Sequence, residues 1–538
     1  MNQALSEAPK EQMPGPRQGA TIPKTRRLAR LAGNSLANLA RLGTGWIILL
    51  IVPPLLVREL DSASYAAWML VLQIGAYATV FDGGLQLAIG RFVARAEHAD
   101  EPAYLSKLLS SAGVLLSGVA VIVCVGVAML SGHLESVFRS IPHAIAHQAA
   151  MALLIVGGAL SVAIPSSVLA GLCLGLEKNH INAAASGGSK LAATAGTLWA
   201  AFHHQGLVTM ALWTAAGTMV QPIIFVLASH RFGALTLLKI RHVSLDCIRE
   251  FGAFGSATMA SQFSMLLISG LDLPVVAAYD FGNAGYYALA ITVCNMLVVP
   301  HGAVLSTMVP MLSSMSAVQE PESMGRALLR ATRLATALLV LVATPLMAGL
   351  PVLLRLWVGA DYARHILPLG ELLIGAQFVR LTMMPYSLTG FSAGEQSRML
   401  VSPAVESMVN LGCSLVLVRS MGAAGVAVGT LIGAVVGVVL HFAVSMAKTR
   451  SIAIGKWTLL RQGILQPIGW ALAPTVSLAL ILPLVHVDAM KLALLAGTVV
   501  ALAAVFWRWH LNADDRMAFE SLRDYVLSAR NQPKTMGA

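Results

Sequence analysis

Fourteen times along this chain an apolar run approaches the roughly 20 residues that an α-helix needs to cross a bilayer. The runs lie near 37–57, 65–91, 104–130, 148–176, 183–202, 207–229, 251–276, 285–311, 327–350, 366–391, 400–418, 423–446, 465–486 and 489–509. Segments 1, 5 and 13 are the least uniform. Backbone in hydrocarbon must satisfy its own hydrogen bonds, so only helices or closed barrels can span. Barrel strands would alternate apolar and polar residues, and these runs are continuous. Charge agrees: 11% of the 538 residues are charged, against about a quarter in soluble proteins. That is too little to cover a water-facing surface of this size. The expected fold class is all-α, a polytopic membrane bundle of about fourteen helices.

The two ends differ in kind from the body. Residues 1–33 are polar, carry Pro9, Pro14, Pro16 and Pro23, and lack the apolar core of a signal peptide. They read as a disordered tail. The segment from about Ala513 reads as a short amphipathic helix with a frayed end.

The net charge of +11 first suggests nucleic acid as a partner. Topology explains it better. With the helices placed as above, 29 of the 36 Lys and Arg fall on the side of the termini, six fall on the other, and Arg380 alone lies within a span. Basic residues concentrate on the cytoplasmic side. The expectation is a multi-pass protein of the bacterial inner membrane with both termini in the cytoplasm, and no nucleic-acid partner.

Several local patterns carry no chemistry. The five cysteines are scattered without CxxC spacing and read as small buried hydrophobes. Gly187-Gly188-Ser189-Lys190 lacks the Gly-Lys-Ser/Thr order of a phosphate loop. His143 and His147 have no third ligand for zinc. Gly425, Gly429, Gly433 and Gly437 form a stripe that permits close helix packing. Neither a metal nor a cofactor is expected.

One internal repeat stands out. Pro53, Ala63, Tyr65 and Ala67 match Pro274, Ala284, Tyr286 and Ala288 at a common offset of 221 residues. Each set closes an odd-numbered helix, crosses a short outer loop and opens the next helix. The chain is therefore expected to divide into a tail (1–33), a first six-helix lobe (34–230), a cytoplasmic linker (231–249), a second lobe (250–447), two appended helices (464–510) and a second tail (511–538). Parallel lobes around a midplane site are a transporter layout.

The same residues carry a family resemblance. Pro54-Leu55-Leu56-Val57-Arg58-Glu59-Leu60, Tyr65-Ala66-Ala67-Trp68, Asp82-Gly83-Gly84-Leu85 and Arg91-Phe92-Val93-Ala94-Arg95 resemble the opening hairpin of the polysaccharide flippases. These belong to the multidrug/oligosaccharidyl-lipid/polysaccharide exporter superfamily. Leu271-Asp272-Leu273-Pro274, Gly285-Tyr286-Tyr287-Ala288 and Met421-Gly422-Ala423-Ala424-Gly425 resemble later parts of the same pattern. The double glycine after Asp82 and the proline at 274 depart from it. The resemblance implies flipping of an undecaprenyl-diphosphate-linked oligosaccharide to the periplasmic leaflet for exopolysaccharide, capsule or O-antigen (lipopolysaccharide) synthesis. It implies membrane lipids, a polysaccharide polymerase and a chain-length regulator as partners.

Ionisable groups in hydrocarbon are costly and usually face a cavity or a partner. Asp82 and Gln86, four residues apart on segment 2, line the cavity in one reading; in the other, Asp82 pairs with a base such as Arg41. Arg380 and Glu406 enter consecutive helices at similar depth, so an ion pair is expected between them. A diphosphate also needs cations, and guanidinium binds phosphate oxygens bidentately, which makes Arg380 and Arg41 candidates for headgroup capture. Arg91, Lys190 and Glu371 are weaker candidates for the translocation path. Asp272 and Pro274 are expected to be structural, beside the hinge between lobes. A multidrug or cation antiporter would place acids rather than bases in the cavity. A polymerase or ligase would need catalytic residues in a large outer loop, and the longest, Ser131 to His147, holds no convincing acid–base set. No enzyme is expected.

Overall fold

In the computed structural model, residues 45, 47–98, 102–231, 233–251, 263, 266–317, 320–511 and 516 are described. Among them the regular elements are all helical. Helix α1 covers 47–59. It is followed by α2 (Ser62–Ala76), α3 (Val80–His98), α4 (Pro102–Gly132), α5 (His143–Ala163), α6 (Ser167–Gly175), α7 (Asn179–Phe202) and α8 (Gly206–Arg231). The second half holds α9 (Asp272–Tyr279), α10 (Phe281–Ala317), α11 (Pro321–Val358), α12 (Ala360–Leu381), α13 (Met384–Ser392) and α14 (Val401–Leu440). Two further long helices, α15 (Gln466–Ile481) and α16 (Asp488–Val505), follow.

Nine helical runs among the described residues are long and apolar enough to cross a membrane. One of them, Val401–Lys448, contains two of the fourteen expected segments. Gly422 breaks it with φ +58° and ψ −138°, a conformation that glycine adopts without a Cβ penalty. Segments 1 and 7 run into residues outside the description, and segments 2 and 5 fall short of the criterion. The number of spans is therefore at least that of the runs, and fourteen is not established by them.

Breaks are the main departure from the expected continuous helices. Segment 2 is interrupted by a 3-10 turn at Tyr77–Thr79, between α2 and α3. Segment 4 is interrupted at Ile164–Ser166, where Pro165 cannot donate the helical hydrogen bond. Segment 10 breaks between Leu381 and Met384, just ahead of Pro385. A π-helical stretch, Leu266–Gly270, precedes α9. Broken backbone at membrane depth needs protein around it, so these breaks mark where the bundle interior must supply polar partners.

One apolar core joins the two halves of the chain. It runs from Leu56, Tyr65 and Trp68 through Leu153 and Met210 to Tyr287, Leu297, Leu350 and Ile374. Across this seam, adding a Cβ to Gly285 of α10 would bring it 3.3 Å from Tyr65 Cδ1 of α2. Hydrogen bonds reinforce the contact. Trp357 Nε1 donates to Leu50 O at 2.6 Å, Ser140 Oγ to Ala278 O at 2.9 Å, and Gln73 Nε2 to Gly270 O at 3.3 Å. Tyr77 OH donates to the same Gly270 carbonyl. Trp357 and Ala278 lie in the last turns of α11 and α9, with Trp357 at the end of α11 away from Arg326, Arg330 and Arg333.

Candidate functional site: a buried polar seam in the second half

A buried polar cluster lies where α9, α12 and α14 meet. On the first arm of α14, Ser402, Glu406, Asn410 and Ser414 recur every fourth residue, and all four are buried. That spacing places them on one face of the helix. The second arm returns against this face with Gly437, Gly433 and Gly429. A Cβ on Gly437 would lie 2.3 Å from Glu406 Oε2, one on Gly433 would lie 2.8 Å from Asn410 Cβ, and one on Gly429 would meet Ser414 Oγ at 2.5 Å. The glycine stripe thus packs polar side chains rather than apolar ones. Its role is to bring the two arms close enough to enclose them.

Two charged residues enter from neighbouring helices. Arg380 Nε donates to Glu406 Oε1 at 2.6 Å, with the side chains only 13% and 6% exposed. The pair expected from helix depth is therefore formed. Asp272, also buried, accepts from Thr430 Oγ1 at 3.0 Å and lies 3.4 Å from Asn410 Nδ2. Arg380 is within electrostatic reach of Asp272.

The helix breaks explain how the bundle tolerates these charges. Asp272 is the first residue of α9, and Arg380 lies in the last turn of α12. A carboxylate at a helix N-terminus and a cation at a C-terminus both complement the helix dipole. The sequence places Arg380 within a span and Asp272 beside the hinge, and continuous apolar runs hide both helix ends. Met384-Pro385 was the visible signal for the second break.

The seam is satisfied at most of its atoms. Ser414 Oγ donates to Asn410 Oδ1 at 3.2 Å, Asn410 Nδ2 reaches the Ile268 carbonyl, and Ser402 Oγ lies 2.7 Å from Ser445 Oγ. Arg380 Nη2 is buried and without a hydrogen-bond acceptor among the described residues. That leaves a guanidinium with one edge committed to Glu406 and a further donor uncommitted. Asn410, Ser414 and Thr430 were missed from sequence, although polar residues at i, i+4 within an apolar run were there to be seen. No group of three His, Cys, Asp or Glu comes together among the described residues.

The first half is built differently. A cavity of 240 Å³ lies between α1, α2, α7 and α8, floored by Leu56, Trp68 and Leu72. Its polar lining is hydroxyl only: Tyr65, Thr194, Thr197 and Thr214, with Thr292 of α10 reaching in from the second half. Gln86 is half-buried on α3, Arg91 and Lys190 are exposed on α3 and α7, and Glu371 is exposed on α12. None of these four joins the Arg380–Glu406 pair. Pro274 is half-buried on α9, two residues after Asp272. Asp82 lies in α3, but its side chain is outside the description, and Arg41 lies outside the described residues altogether.

Comparison with known proteins follows the same division between fold and chemistry. A family model described as "Polysaccharide biosynthesis protein" matches residues 32–316. Solved structures share the fold at low identity. A lipid II flippase MurJ in an inward closed conformation is 16% identical, with TM-score 0.64, covering 88% of this chain and 98% of that one. An inward-facing multidrug resistance MATE family transporter of the MOP superfamily is 15% identical, with TM-score 0.63, covering 75% and 94%. A MOP superfamily transporter from Pyrococcus furiosus, described by the reverse polarity of its binding pocket, is 16% identical, with TM-score 0.57, covering 78% and 94%. No curated protein sequence matches.

Proposed function

The chain belongs to the polysaccharide biosynthesis protein family, and from that premise we propose that it flips undecaprenyl-diphosphate-linked oligosaccharide from the cytoplasmic to the periplasmic leaflet of the inner membrane. The observation that carries the proposal is the family match over residues 32–316, on a fold shared with solved flippases and transporters. In this mechanism the two halves act as lobes that rock about their common core. The hydrogen bonds from Trp357 and Ser140 are read as closing the seam toward the periplasm, with those of Gln73 and Tyr77 to Gly270 deeper in the bundle, so the headgroup enters from the cytoplasm.

Arg380 supplies the cation. Its uncommitted Nη2 is the donor available to a diphosphate oxygen, while Glu406 holds the guanidinium plane in place. The hydroxyl-lined cavity of the first half offers the neutral hydrogen-bonding groups that sugars use. The polyprenyl chain stays in lipid. Arg41 and Asp82 remain proposed members of the path, Arg41 as a second phosphate contact.

A clean deletion tests the proposal in cells. Lipid-linked repeat units should accumulate on the cytoplasmic leaflet while their synthesis continues. Normal surface polysaccharide in the deletion strain, with no paralogue present, would overturn it. Arg380→Lys keeps the charge and loses the fork, so transport should fall while the amount of folded protein is kept.

A further inference from the structure

The segment joining the two halves is bound to the first half by an unusual set of serines. Between the end of α8 and residue 251, the chain makes two short 3-10 turns, Ala234–Leu237 and Ile240–His242. Three buried serines near the start of α4 hold both. Ser106 Oγ donates to Leu237 O at 2.5 Å and lies 2.7 Å from His242 Nδ1. Ser110 Oγ donates to Leu237 O and accepts from Lys239 N at 2.9 Å, and Ser111 Oγ accepts from Ser244 N at 2.9 Å. Leu235, Leu237 and Leu238 pack inward on the first half. The segment is therefore an ordered plate on the end of the bundle rather than a slack tether.

What this plate leaves outside is not what a water-facing loop would show. Ile240 is 87% exposed, and Leu245, the first residue of a helical stretch described to residue 251, is 71% exposed; neither falls in one of the nine apolar runs. Lys239, Arg241 and Arg249 are exposed beside them, as is Arg231 at the end of α8. The acids of the segment are Asp246 and Glu250, and Glu250 already accepts from Tyr104 OH at 3.4 Å. By the count of basic residues this end faces the cytoplasm, where the leaflet is anionic.

We propose that residues 239–249 form a membrane-surface contact, with Ile240 and Leu245 seated in the headgroup–acyl boundary of the cytoplasmic leaflet and Lys239, Arg241 and Arg249 on its anionic phosphates. Apolar side chains flanked by Lys and Arg are the composition that binds at such an interface. The occupant is a bulk anionic lipid surface. The serine contacts fix this anchor to the first half. The inference is independent of the transported substrate.

The test uses the full chain in nanodiscs. A nitroxide is attached at Ile240→Cys or, separately, at Leu245→Cys, and labelled native protein serves as the blank. In discs rich in phosphatidylglycerol, both labels should be accessible to oxygen and shielded from a water-soluble nickel chelate. In phosphatidylcholine discs the nickel accessibility should rise several-fold. Replacing Lys239, Arg241 and Arg249 together by Gln should abolish that difference between lipids. Equal nickel accessibility in both lipids would overturn the proposal, whether the label proves water-exposed or covered by protein. So would a lipid difference that persists in the triple variant.

Discussion

Asp61 and Asp280 each precede the repeated Ala-x-Tyr pattern, one in each half, and they make different bonds. Asp61 stays local: its Oδ2 accepts from the Ala63 and Ser64 amides at 3.1 Å and caps its own helix. Asp280 reaches across the fold. It accepts from Asn283 Nδ2 at 3.0 Å and from Ala423 N at 2.9 Å, tying the α9–α10 corner to the kink of α14. The interiors diverge in the same sense. The first half surrounds an apolar, hydroxyl-lined cavity, and the second encloses a charged seam. A repeated hairpin can thus be kept while its partners change, and among the described side chains the buried ion pair lies in the half whose corner carboxylate reaches across the fold.

The comparison can be broken most severely at the seam. Glu406→Ala leaves Arg380 buried without its partner, which should destabilise the second half by about 3–5 kcal/mol. Removing both charges with Arg380→Ala should recover part of that loss. Thermal unfolding in detergent, followed through segment-resolved hydrogen exchange, checks both variants. A double mutant no better than Glu406→Ala would show that the pair is not the unit.

Much of this site could be read in the sequence, for a simple reason. Charge in an apolar run is conspicuous, so Arg380, Glu406 and Asp272 could all be named, and depth alone paired the first two. Asp272 was taken as structural, and its hydrogen bonds to its neighbours are compatible with that. The helix breaks were not legible, because hydropathy reports burial and not backbone geometry. Without the breaks at Gly270–Leu271 and Thr382–Met383, the dipole support for the two charges is invisible. Gly422 stands in a quoted motif, but its tie to Asp280 is not legible, since a single capping bond between segments 143 residues apart leaves no periodic trace.

The corner contrast comes next in size. Asp280→Ala removes bonds to two segments and should cost about 1–3 kcal/mol, the usual penalty for unsatisfied buried donors. Asp61→Ala loses only a helix cap, about 1 kcal/mol. Equal effects in a matched thermal series would erase the distinction between local and tertiary capping.

A smaller effect is expected at Glu395. Burial raises its carboxyl, but Ser451, Arg398 and the Ser451 and Arg450 amides outweigh this and hold it at about 2, below its ordinary 4.5. Arg398 Nη1 donates to it at 2.7 Å and Ser451 N at 2.8 Å. A depressed carboxyl stabilises the fold fully above the ordinary value, and this contribution is lost as pH falls through the folded one. Protection of the Arg450 and Ser451 amides, relative to their intrinsic exchange rates at each pH, should therefore fall between about pH 4.5 and pH 2, and Glu395→Gln should remove that change in protection. The hairpin of the first half around Asp61 should not follow Glu395→Gln.

The central claim is that this chain moves a lipid-linked diphosphate sugar. Purified protein in liposomes carrying a fluorescent undecaprenyl-diphosphate oligosaccharide tests it directly, with a membrane-impermeant quencher reporting the outer leaflet. The account expects the quenchable fraction to move from the value of protein-free liposomes toward complete exchange, and Arg380→Lys to slow that exchange. Lipid that stays in its leaflet, while the same vesicles exchange a cationic dye, would contradict it.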